Sequence, residues 1–132
     1  MTKTHHPAPN QATPFRAIAD HLEAHPGLPE LHLGLLGIDT RFEWEWRVGN
    51  AAGALQWAAT LTAPAVRLHR CADASIDVAV TGRTTTNRPV LVKGRDYTDA
   101  LTHLDTTAQH TAPMLARALD AADNASGGGG QT

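Results

Sequence analysis

Three consecutive runs of alternating residues, Ala65 to Cys71, Ser75 to Gly82 and Pro89 to Arg95, constrain this chain more than any other feature. Val66 and Leu68 share one face of the first, Ile76, Val78 and Val80 one face of the second, and Val90 and Val92 one face of the third. A period of two with β-branched residues at the recurring positions is what a half-buried strand requires, because successive side chains leave a strand on opposite faces. The connections, Ala72-Asp73-Ala74 and the longer Arg83 to Arg88, are short enough for an antiparallel meander. A fourth run is stricter. Arg41 to Val48 places Phe42, Trp44, Trp46 and Val48 on one face and Arg41, Glu43, Glu45 and Arg47 on the other. It predicts a strand with Trp44 and Trp46 in the core and its charged residues on a solvated edge, forming a hairpin with the apolar stretch Leu31 to Ile38 through Asp39-Thr40.

An apolar sheet face must be covered, and segments of helical period supply the cover. Thr13 is placed to cap a first helix with Pro14 at its first position, and Phe15, Ile18, Ala19 and Leu22 form its stripe up to His25-Pro26-Gly27. Asn50 caps a second, in which Ala51, Ala54, Leu55, Ala58 and Leu61 line one side and Trp57 stands at the margin. Tyr97, Leu101, Leu104 and Ala108 predict a third helix, and Pro113 forces a break near Thr111 before a fourth over Met114, Leu115, Ala118, Leu119 and Ala122. The order α-β-β-α-β-β-β-α-α predicts an α+β two-layer sandwich, with one mainly antiparallel sheet of about five strands and its helices on one face. A single domain over residues 13–123 is expected. Residues 1–12, with two prolines and no apolar period, read as a disordered arm, and residues 124–132, containing SGGGG, as a flexible tail.

At 132 residues and 42% hydrophobic, one core closes without staples. The lone Cys71 forms no internal bridge, no leader pattern opens the chain, and no apolar run approaches the about 18 residues that span a bilayer. A cytoplasmic setting without membrane contact is expected. Alanine supplies much of the apolar content and arginine outnumbers lysine, a bias typical of GC-rich genomes.

The HPGLP segment His25 to Pro29, the Leu55-Gln56-Trp57-Ala58-Ala59-Thr60-Leu61 helix and the valine-alternating strand ending Thr81-Gly82-Arg83 together resemble small actinobacterial accessory proteins of the Streptomyces type. The resemblance covers residues 14–95 and implies no catalytic residues.

Candidate chemistry is sparse. His21 and His25 have the four-residue spacing at which two imidazoles can share a metal, but Glu23 lies centrally rather than directly after the first histidine, and no third ligand follows at a diagnostic interval. Cys71 lies near His69 without the turn and orienting group a nucleophile needs. Glu43 and Glu45 alternate with Arg41 and Arg47, as cross-strand ion pairs do. No phosphate-binding glycine loop exists. The expectation is a non-enzymatic protein without metal or cofactor.

Charge and apolar pattern offer more. Residues 67–95 carry six basic side chains against two acidic, and residues 96–132 carry one against five, within a net charge of −2. Arg83 and Arg88 bracket a threonine-rich loop, and with Lys93 and Arg95 they make a basic hairpin suited to phosphate. No aromatic residue is interleaved for base stacking. Met114, Leu115, Ala118 and Leu119 form a stripe that a second chain could bury. The leading expectation is therefore a protein-interaction module that pairs with itself as a homodimer. The alternative is a nucleic-acid-binding accessory factor using Arg83, Arg88, Lys93 and Arg95, and an enzyme resting on Cys71 or His21 and His25 comes third.

Overall fold

A computed structural model describes residues 7–33 and 45–131, with side-chain environments for 15–32 and 45–123. Among the described residues, three helices and six strands follow in the order α1 (Pro7–Ala24), β1 (His32–Leu33), β2 (Glu45–Arg47), α2 (Ala51–Ala58), β3 (Thr62–Arg70), β4 (Ile76–Arg83), β5 (Pro89–Asp96), β6 (Gln109–His110) and α3 (Ala112–Gln131). The α+β class with a mainly antiparallel sheet is as the sequence predicts.

The sheet order is β1-β2-β5-β4-β3-β6. The meander forms with Val80 opposite Val66 on one side and Val92 on the other. Both turns are tight: Ala74 and Asn87 hold φ of 69° and 65°, and a backbone bond closes each loop, from Cys71 N–H to Ser75 O and from Thr84 N–H to Arg88 O. Asparagine accepts the left-handed conformation readily, whereas alanine is strained in it. β1 pairs antiparallel with β2, as a hairpin requires. The parallel pairing of β2 with β5 makes the sheet mixed, a feature that strand periodicity does not encode. Residues 34–44 lie outside the described residues, and with them Phe42, Trp44 and most of the Leu31–Ile38 run.

The apolar face carries Trp46, Val48, Val66, Leu68, Ile76, Val78, Val80, Val90 and Val92 against Ile18, α2, Leu101 and Leu115. Asn50 caps α2 as expected, its side chain accepting from Gly53 N–H at 2.8 Å. Trp57, expected at the margin, is fully buried, and its indole N–H donates to Pro29 O at 3.1 Å. That bond anchors the chain leaving α1, so the tryptophan lies where the covering layer closes. α2 approaches the sheet closely enough that a Cβ on Gly94 would meet the Asn50 carbonyl oxygen.

Three elements differ from expectation. α1 begins at Pro7 rather than at a Thr13 cap, because prolines 7 and 9 fall in the first turn, where amides need no helical acceptor. α3 runs to Gln131, since a helix once nucleated gains one bond per added residue, and its span includes residues expected to form a tail. The helix predicted over Tyr97 to Ala108 is absent, and the segment consists of turns. Asp96 accepts from the Thr98 amide and hydroxyl, Asp105 accepts from those of Thr107, and Arg70 and Arg67 reach across to the carbonyls of Thr102 and Thr107. Aspartate and threonine here bond locally to the backbone and outcompete the helix. Leu101 is nevertheless core, while Tyr97 stands 73% exposed.

Candidate functional site

The strand that predicts an aromatic core also places Glu45 and Arg47 on the opposite sheet face, where they are not left to solvent. Asp77 on β4 is 2% exposed and receives two guanidinium groups, each through two nitrogens: Arg47 at 3.2 and 3.1 Å, and Arg95 at 3.2 and 3.4 Å. Glu45 accepts from Lys93 at 3.1 Å and lies 3.5 Å from Arg47 Nε. These five side chains form one ion-pair ladder across β2, β5 and β4. Burial pushes the Asp77 carboxyl upward, but hydrogen bonds from Arg47 and Arg95 outweigh it and hold the group at about 2. The Arg47 guanidinium is raised, chiefly by its bond to Asp77.

The ladder divides the predicted basic hairpin. Lys93 and Arg95 are committed to Glu45 and Asp77, two carboxylates that they share with Arg47 and that offset all but one of the three positive charges in the ladder. Arg83 and Arg88 remain at the β4–β5 tip, where Arg83 donates to Asn87 O at 3.1 Å. The expected solvated edge at Glu45 is corrected in the same way: Glu45 is buried because Lys93 and Arg47 cover it.

The other notable surface is apolar. Between α2, β3 and the start of α3 lies a groove of about 710 Å³. Leu55, Ala59 and Leu61 form one wall, Val66 the floor, and Ala116 and Leu119 the other wall, with His110 and Asp120 at the rim. The small alanines make it wide. Of the four expected interface residues on α3, Leu115 is fully buried in the domain's own core and so is unavailable to a partner. The α3 stripe turns to its own domain, where α2 is its neighbour and Leu115 joins the common core. Met114, Ala118 and Leu119 pack against that core while remaining half-exposed.

Of the residues singled out for chemistry, His21 and His25 lie side by side, but the ring nitrogens of His21 are already taken. Both ring nitrogens of His21 are engaged within the protein, Nδ1 by Thr85 N–H at 3.1 Å and Nε2 by Thr60 Oγ1 at 2.8 Å. Its ring stacks on Trp57 at 5.2 Å and lies 4.7 Å from that of His25. Burial, and then His25, lower its pKa. Cys71 is half-buried, with Sγ 4.0 Å from the His69 carbonyl rather than beside an imidazole. Among the described residues no group of three or more His, Cys, Asp or Glu side chains is arranged to hold a metal, and no helix is long and apolar enough to cross a membrane. Sequence reasoning missed the Asp77 ladder and the fixed role of His21. The alternation of Asp77 with Ile76 and Val78, placing one carboxylate among the β-branched strands, is the signal that could have found the first.

No family model matches this chain, and neither a curated protein nor a solved structure does.

Proposed function

We propose that the domain is a non-catalytic protein-interaction module that pairs with a second copy of itself through the groove between α2 and α3. The observation that carries this reading is the groove, an apolar concavity with small-residue walls next to the half-exposed Ala118 and Leu119 of α3. A helix fits such a trough, and each copy presents one beside it, so a two-fold axis would satisfy both grooves at once. A stable pair needs about 800 Å² buried on each copy, which the groove and the outer face of α3 would share.

Light scattering over a range of concentrations tests the reading, with Ala59→Glu as the variant. Ala59 is exposed and lines the groove, so the substitution leaves the core intact while placing a charge in the seat. The expected result is a dimer for the wild type, with a thermal midpoint that rises with concentration, and a folded monomer for the variant, with a midpoint independent of concentration. A wild type that stays monomeric into the millimolar range, or a variant that still dimerises, overturns it.

A further inference from the structure

The contacts of His21 restrict both its tautomer and its charge. Thr85 N–H can only donate, so Nδ1 must be the bare acceptor and Nε2 must carry the proton. The Thr60 hydroxyl accepts from Nε2–H and passes its own proton to Trp57 O at 2.9 Å, which completes a one-directional chain from the β4–β5 loop through α1 to α2. A second proton on the ring would go to Nδ1, where it would face the Thr85 amide hydrogen, donor against donor. The ring is 0% exposed, so no water could relieve the clash. An imidazolium would keep its Nε2–H bond to Thr60 and its contact with the Trp57 indole, so the bond that protonation breaks is the one from Thr85, which ties α1 to the β4–β5 loop.

The other titratable group that bears on the ring, among the described residues, is His25 on α1 itself, and it lowers the pKa further. α2 presents the uncharged Trp57 and Thr60. The β4–β5 loop presents the Thr85 amide. The consequence is large because α1 is lightly held: of its described side chains only Ala17, Ile18 and His21 are buried, with Leu22 half-buried.

We propose that His21 is a proton-operated latch, whose neutral ring fastens α1 to α2 and to the β4–β5 loop and whose protonation at Nδ1 releases the helix. The released state bares Trp57 and the sheet face beneath Ile18, giving the domain a second apolar surface in mildly acidic surroundings. The sign follows from linkage. A histidine held below 6.5 in the folded protein adds stability that is fully present above pH 6.5 and is lost as pH falls through the lowered folded value.

Amide hydrogen exchange on the full chain at pH 7.5 and 5.0, corrected for intrinsic rates, tests the latch. Peptides covering residues 15–24 and 84–88 should lose protection severalfold at pH 5.0, while β3 and β4 remain protected. His21→Phe keeps an aromatic ring against Trp57 and removes the titration, so α1 should stay protected at both pH values. If that variant fails to fold, His25→Gln takes its place: it removes the neighbouring positive charge and should shift release to higher pH. Equal protection of α1 at both pH values in the wild type overturns the proposal, as does a His21→Phe protein that loosens on acidification or a His25→Gln protein whose release does not move.

Discussion

Replacing Gly94 by alanine tests how closely α2 is seated on the sheet. A Cβ at this position would lie 2.1 Å from the Asn50 carbonyl oxygen, 2.7 Å from its carbonyl carbon and 3.0 Å from a Val48 methyl, whereas ordinary contact begins at 3.4 Å. The nearest atoms are backbone, so no rotamer change can relieve the overlap; either β5 bows outward or the first turn of α2 lifts by more than an ångström. Displacement of that size costs about 1–3 kcal/mol in strain and lost packing. Lifting the turn also breaks the Asn50 cap on Gly53, worth about 1 kcal/mol, while the stiffer unfolded chain returns about 0.5 kcal/mol. The expected net loss is about 1.5–3.5 kcal/mol. Urea unfolding should show it as a lower midpoint at constant slope, and heating as a fall of about 6–14 °C. Gly49→Ala is the control, because a Cβ there meets nothing within 4 Å. A Gly94→Ala protein as stable as that control would refute the close seating of α2.

Asp77→Asn should cost about 2–3 kcal/mol at pH 7, because Arg47 and Arg95 lose the carboxylate between them, and chemical denaturation measures the loss. The same carboxyl, held at about 2, contributes stability that is present above about pH 4 and lost as pH falls from there toward 2; the variant should show a flatter acid limb in that window, and an unchanged limb would remove the ladder from the stability of the fold. Charge reversal at Arg83 and Arg88 tests the nucleic-acid alternative: with Lys93 and Arg95 committed to Glu45 and Asp77, mixed-sequence DNA or RNA should bind the wild type no better than the variant at physiological salt, and a marked, salt-sensitive loss in the variant would favour that alternative over self-pairing.

The elements legible in the sequence are those whose period matches their surroundings. β3, β4 and β5 each bury one apolar face against α2, so alternation at Val66, Ile76, Val78 and Val92 is a direct image of burial. Asn50 could be identified as a cap because its requirement is local. The segment from Tyr97 to Ala108 misleads for the opposite reason. Its apolar spacing meets a helical template, and Leu101 does reach the core, but the backbone is decided by Asp96, Asp105, Thr98, Thr102 and Thr107 bonding to adjacent amides, carbonyls and carboxylates. Apolar period reports which residues are buried. It does not report where the backbone hydrogen bonds go.

The charged residues were misjudged for a related reason, since net charge by segment follows the chain while electrostatics follows the sheet. Residues 67–95 are strongly basic in sequence, but the acids that neutralise them need not be sequence neighbours. Glu45 belongs to a different segment and reaches Lys93 only because β2 lies parallel beside β5, with Glu45 opposite Leu91 and Arg47 opposite Lys93. Asp77 reaches Arg47 across β5, over 30 positions of sequence. A one-residue slip of β2 would turn Glu45 and Arg47 toward the apolar layer and Trp46 toward the ladder, so ion pairs and tryptophan select the same register from opposite faces. The parallel pairing thus hides the ladder from the sequence, and the ladder in turn penalises every other alignment of that strand. Outside the ladder the basic block is divided between Arg67 and Arg70, which donate to the carbonyls of Thr107 and Thr102, and the hairpin tip, so its charge is spread rather than gathered on one surface, and the apolar groove carries the functional reading.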